Sequence, residues 1–194
     1  MRITGSGTAA LLFFLAGCQS IPPVTTREFP DGKNAVLVSP LTYTVGATNV
    51  QISVPTGFVT DFASTPRPLW AAIPPHGRYG RAAVIHDYLY WTQSCTKDQA
   101  DNILLIAMKE SGVDSATLTA IYEGVHLFGA SAWNEDAAER ARGLPKFIPD
   151  NYINFDGDTD WPTLREKLVK DGVRDPQFPM NPSYCSIGDA QVVP

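Results

Sequence analysis

Arg81-Ala82-Ala83-Val84-Ile85-His86-Asp87-Tyr88-Leu89-Tyr90-Trp91, and then Thr96-Lys97-Asp98-Gln99-Ala100-Asp101-Asn102-Ile103-Leu104-Leu105-Ile106-Ala107-Met108, decide the fold of this chain. In the first run Ala82, Ile85 and Leu89 recur at helical spacing and make one apolar stripe. In the second, Thr96 is placed to cap the amide of Gln99, and Gly112 is a natural stop. A third helix is expected from Asp114 or Ser115, with Leu118, Ile121, Tyr122, Val125 and Phe128 on one face, reaching Trp133. Residues 135 to 142 either continue it or form a short charged helix. The break from Trp91 to Cys95 is short enough to return the second helix antiparallel to the first.

Upstream, the period changes from helical to alternating. Ala35-Val36-Leu37-Val38 is followed by Leu41-Thr42-Tyr43-Thr44-Val45 and Val50-Gln51-Ile52-Ser53-Val54, the last two flanking Gly46-Ala47-Thr48-Asn49. That pattern predicts a β-hairpin. A Pro-rich loop, from Thr60-Asp61-Phe62-Ala63-Ser64 to Pro74-Pro75, joins it to the helices. Residues 35–142 therefore read as one α+β domain, a small sheet followed by a helical array. Residues 18–34 read as a tether, and 143–194 as an irregular extension with a short helix at 162–171.

Polar side chains on apolar helix faces mark the candidate site. Asp101 shares a face with Leu105 and Met108, and a carboxylate buried there costs several kcal/mol unless a partner satisfies it. On antiparallel helices His86 could face it. A carboxylate that fixes an imidazole's tautomer is half of a general-base device. Equally, Asp101 could accept hydrogen bonds from Tyr90 or Tyr122 and simply lock the core. Asp87 and Asp61 are two acids suited to a hard cation such as Ca²⁺, although Asp61 would also cap a turn in a Pro-rich loop. Asp156-Gly157-Asp158-Thr159-Asp160 opens like a calcium loop but continues with Trp161 and Lys167 where Gly and Glu are required, so it is read as a solvated turn. Ser64 lacks the Gly-flanked elbow of a hydrolase nucleophile, and His126 reads as a surface or core-edge histidine.

The first seventeen residues are expected to be a cleavable signal: Arg2, then the short apolar run Ala9 to Ala16, too short to span a bilayer. Leu15-Ala16-Gly17-Cys18 resembles the bacterial lipoprotein box, which implies lipidation of Cys18 and a membrane-anchored protein of the cell envelope. In a Gram-negative host, Gln19 after the cysteine implies the periplasmic face of the outer membrane. The formal net charge of −5 leaves no electrostatic footprint for nucleic acid, and that class is excluded. Cys95 and Cys185 are then the remaining thiols and candidates for a disulfide in an oxidising compartment.

Taken in order, Val54-Pro55 with Gly57-Phe58, Thr60-Asp61-Phe62-Ala63-Ser64 with Pro66-Arg67, and His86-Asp87-Tyr88-Leu89-Tyr90 resemble a bacterial and phage family, domain of unknown function 1353. Ala100-Asp101, Met108, Ile121-Tyr122, Val125, Phe128-Gly129 and Trp133 extend the likeness, which supplies no activity. His86-Asp87-x-x-Tyr90, Ala100-Asp101 and Tyr122 also look like the prokaryotic secreted phospholipases A₂. That resemblance implies His86 as the base that activates water, Asp101 as its orienter and Asp61 with Asp87 as Ca²⁺ ligands, with Tyr90 and Tyr122 in support. The cysteines and glycine-rich calcium loop of those enzymes are missing. Two functions are thus expected as alternatives. One is a calcium-dependent hydrolase of phospholipid or another ester. The other is a non-catalytic envelope or prophage-encoded module that binds a protein partner.

Overall fold

A computed structural model describes residues 21–62 and 78–194. The signal segment, Cys18 and the Pro-rich loop with Ser64 lie outside the described residues. β1 (Thr26–Glu28), β2 (Ala35–Leu37) and β5 (Val59–Thr60) form an antiparallel sheet in the order β1-β2-β5, and β3 (Leu41–Thr44) pairs with β4 (Gln51–Val54) as the expected hairpin. Leu41, Tyr43, Ile52 and Val54 all point inward from the hairpin while Gln51 and Ser53 face water, so its alternation sets which face is buried. Helices α1 (Arg78–Thr92), α2 (Lys97–Glu110), α3 (Ser115–Phe128) and α4 (Ala130–Ala141) follow, then α5 (Trp161–Lys170) and a 3₁₀ segment over Ser183–Asp189. The chain is α+β.

Strand β2 has both faces buried, and successive residues serve two cores. Leu37 joins the main core, built by the hairpin with Ile85, Leu89 and Trp91 of α1 and Ile103, Leu104 and Ile106 of α2. Val36 turns the other way, into a second core with Phe29, Val59, Ile148, Trp161, Leu164 and Leu168.

Two boundaries differ from the sequence reading. Residues 143–194 are part of the body, because Phe147 forms a bridge with Phe58 and the apolar face of α5 has only the second core in which to bury Trp161, Leu164 and Leu168. Likewise β1 falls within the stretch read as a tether, and Ile21 and Phe29 are buried. The third helix also ends sooner than its apolar spacing implies. Gly129 interrupts it, and Trp133 belongs to α4. A Cβ at Gly129 would sit 2.5 Å from the Tyr90 hydroxyl and 2.4 Å from the Val125 carbonyl, so only glycine lets α3 and α4 meet over α1.

Gly57 fixes how the C-terminal part docks. Its φ is +85°, it accepts the Ile148 amide at 2.8 Å, and a Cβ there would lie 2.2 Å from the Ile148 carbonyl oxygen. Gly57→Ala should cost about 2–4 kcal/mol, the left-handed strain plus displacement of backbone. Gly32→Ala has positive φ but open space around it, and should cost only about 1 kcal/mol. Thermal melting of the two variants side by side checks this; equal losses would mean that the Gly57–Ile148 approach contributes nothing.

Candidate functional site

Helices α1 and α2 fold back on one another through the turn at residues 93–96, where Thr96 and Gln99 form a reciprocal capping box that fixes the first turn of α2. This start of α2 carries Asp101 one turn in and presents it to α1. Asp101 is fully buried. Its Oδ1 lies 3.0 Å from His86 Nε2 and accepts the Tyr90 hydroxyl at 2.7 Å. Its Oδ2 accepts the Lys97 ammonium at 2.6 Å, with His126 Nδ1 at 3.7 Å. Lys97 also donates to the carbonyls of Val125 and His126, the negative end of α3. Burial acts to raise the Asp101 pKa, but the hydrogen bond and charge of His86, with Lys97 and Tyr90, more than offset it and hold the group below its ordinary 3.8.

An ionised carboxylate can only accept, so His86 Nε2 must carry the proton. In the neutral ring Nδ1 is then the basic nitrogen. It makes no hydrogen bond among the described residues, and His86 lines a cavity of about 540 Å³. Tyr90 packs against the imidazole at 4.0 Å between ring centroids and, from its other side, edge-on against Trp133. The ring is therefore held in one orientation, with Nε2 committed to Asp101 and His86 among the residues that line the cavity.

The same cavity is lined by Asp61, Asp87, Asp136 and Lys146. Asp87 follows His86 on α1 but turns toward β5, where its Oδ2 accepts the Thr60 hydroxyl at 2.5 Å and the Asp61 amide at 3.2 Å. Asp61 thus reaches the site through the end of β5. Lys146 Nζ lies 3.4 Å from Asp136 Oδ1. Burial pushes the Asp136 carboxyl up, opposed by Lys146 and reinforced by the charges of Asp61 and Glu139. Burial would lower Lys146, but Asp136, Asp61 and Asp87 together raise it.

The residues expected to act thus meet as two groups around one cavity: His86, Asp101 and Tyr90 on one side, Asp61 and Asp87 on another. Asp61 and Asp87 both line the cavity, the side on which the resemblance places Ca²⁺ ligands. Among the described residues, the His, Cys, Asp and Glu atoms that converge within 4.8 Å are those of Asp98, Asp101 and His126, and there Asp101 already holds an ammonium. Tyr122 does not reach Asp101: its hydroxyl donates to Asn102 Oδ1 at 2.9 Å and accepts Gln191 Nε2 at 2.6 Å. His126 is half-exposed and stacks on Tyr122, in keeping with a core-edge residue. Cys95 and Cys185 are joined by a disulfide.

Sequence reasoning missed Lys97, Asp136, Lys146 and Thr60. Lys97 was legible, four residues before a buried acid on the same helix. Lys146 carries no local signal, since it lies in a stretch without period and is set by a backbone bond to Val59 and by the Asp175 carboxylate.

Residues 35–125 match the family model described as "Protein of unknown function (DUF1353)". The chain resembles that family over this stretch, just under half of its length. A similar sequence is the uncharacterized protein y4jT of Sinorhizobium fredii, 37% identical over 78 residues, which cover 39% of this chain and 23% of that protein. No solved structure matches the chain at a significant level. The matched stretch contains His86, Asp87, Asp101 and Asp61, whereas Asp136 and Lys146 lie beyond it. The cavity is completed by the C-terminal part of this chain.

Proposed function

We propose that the chain is an envelope-anchored hydrolase of phospholipid or a related ester, with His86 as general base and Asp101 as the residue that orients it. The observation that carries this reading is the imidazole tied through Nε2 to a buried carboxylate, on a residue that lines a cavity large enough for a substrate. Water held at Nδ1 gives up a proton as its oxygen attacks the ester carbonyl. Asp101 stabilises the imidazolium. On collapse the C–O bond to the alkoxide breaks, and the same proton passes to that leaving group. An apolar substrate is supported by Leu127 and Phe128, which are 63% and 69% exposed at the end of α3, Phe128 also lining the cavity. Lipid at Cys18 would hold the domain beside such a substrate.

The test uses the full chain and phospholipid vesicles, with release of fatty acid followed with and without Ca²⁺. His86→Ala should lower the rate by roughly 10²–10⁴-fold. Activity that persists in His86→Ala removes the assigned base. Turnover that needs Ca²⁺ and is lost in Asp87→Asn would instead support Asp61 and Asp87 as ligands of a polarising ion. A second reading, the non-catalytic envelope module, is favoured by one observation: Asp101 is already saturated by Lys97 and Tyr90, as in a network that only holds helices together. Absence of hydrolysis in wild type, across phospholipid and simple esters, would select it.

A further inference from the structure

We infer that the face carrying Pro22, Pro23 and Val38 lies directly on the phospholipid bilayer in which Cys18 is anchored, so that the domain is seated on the membrane and does not swing from a tether. The inference rests on the anchor reading of Cys18 and is independent of the role given to His86. Cys18 and Ile21 are three residues apart, and three residues span at most about 11 Å in any conformation. Ile21 already belongs to the folded body. It is 1% exposed, packs in the main core, and its carbonyl accepts the guanidinium of Arg81 near the start of α1. A free linker over residues 18–34 would reach about 55 Å instead.

The residues after Ile21 stay bound as well. Val24 packs on the main core, the Thr25 carbonyl accepts the Val38 amide at 3.0 Å, and Thr26 pairs with Leu37. Pro22 and Pro23 are exposed, and the Thr25–Val38 bond sets the exposed Val38 close to them. Two or more acyl chains keep Cys18 at the headgroup layer, which is roughly 5–7 Å deep in each leaflet. The short leash therefore leaves Ile21 within a few ångströms of that layer. The surface it presents suits the contact. Residues 21–26 and 38–40 contain no charged side chain, in a chain of formal net charge −5. Acidic side chains pressed on a bilayer lose hydration and are repelled by anionic headgroups, and this face carries neither cost. The first basic residue beyond it, Arg27, is engaged by Phe155, donating to its carbonyl at 2.7 Å.

The test uses the full chain, exported and purified with its lipid, in phosphatidylcholine vesicles that contain a lipid with a nitroxide on its headgroup. With Cys95 and Cys185 bonded and Cys18 lipidated, Val38→Cys or Pro23→Cys carries the one reactive thiol, which takes a bimane label. Both labels should be quenched strongly. A Gly/Ser insertion of about twenty residues between Ser20 and Ile21 lets the domain stand off by roughly 25 Å and should cut that quenching about three-fold or more. Weak quenching at both positions in a folded, lipidated chain of native length overturns the inference. Strong quenching that survives the insertion keeps this face on the bilayer through its own apolar contact. The mass of the N-terminal peptide reports the lipid separately: an unmodified Cys18 removes the anchor reading and this inference together, whereas weak quenching with the lipid present removes this inference alone. Hydrolysis, found or absent, changes neither result.

Discussion

Asp101→Ala is expected to be among the most damaging single substitutions in this protein, lowering stability by about 3–5 kcal/mol. The reason is the company it leaves behind. Without the carboxylate, the Lys97 ammonium keeps only the α3 carbonyls, the Tyr90 hydroxyl loses its acceptor, and the buried His86 ring loses the bond at Nε2. For a chain of this length the loss corresponds to a melting point roughly 10 °C lower. Asp101→Asn keeps the shape and one acceptor but not the charge, and should fall between wild type and Ala. A stability unchanged in Asp101→Ala would mean that the network is not what holds α1 to α2.

The same residue gives a pH dependence whose sign follows from its lowered pKa. Asp101 is more acidic in the folded chain than in the unfolded one, so it contributes stability above its unfolded value and loses it as pH falls through the folded value. The stabilisation is therefore present in full at neutral pH and fades below the ordinary 3.8. In Asp101→Asn that acid-side component should be missing, and a melting-temperature profile from neutral to acid pH would show a shallower fall than wild type.

What could be read from the sequence divides along a physical line. Helices α1 to α3, the hairpin and the meeting of His86 with Asp101 follow from local periodicity, a capping box and a short turn, each written within a few tens of residues. The Gly129 break was not legible, because the glycine answers a hydroxyl from a different helix rather than its own neighbours. The role of residues 143–194 was hidden for a related reason. Phe147, Ile148 and Lys146 are placed by single backbone bonds to Gly57 and Val59, and such pairing leaves no period behind it. Of that stretch the sequence announced only a short helix at 162–171, whose buried face of Trp161, Leu164 and Leu168 emerged in the structure. The acidic side of the cavity therefore came out of the sequence as Asp61 and Asp87 without Asp136 or Lys146.

Removing the Cys95–Cys185 bond should rival the loss of Asp101. The bridge closes a loop between residues 90 positions apart, and a cross-link over such a span restricts the unfolded chain by about 4–5 kcal/mol. Reduction, or Cys95→Ser with Cys185→Ser, should lower the melting temperature by roughly 10–15 °C. The consequence is also local. The 3₁₀ segment that carries Cys185 lies flat on α2, with Gly188 so close to Gln99 that a Cβ would meet its backbone at 2.4 Å, and with Asn102 donating to the Gly188 carbonyl at 2.8 Å. Lys109 holds the Gln191 carbonyl further along. Cutting the covalent link leaves these weak contacts alone to keep residues 183–194 on the helix that presents Asp101. Hydrogen exchange should then rise first in that tail and in the solvent side of α2, before α1. A melting point indifferent to reductant, with both thiols titrated as free, would show that the non-covalent contacts suffice. Bonds of this kind persist chiefly in oxidising compartments, the setting that the proposed export of this chain would provide.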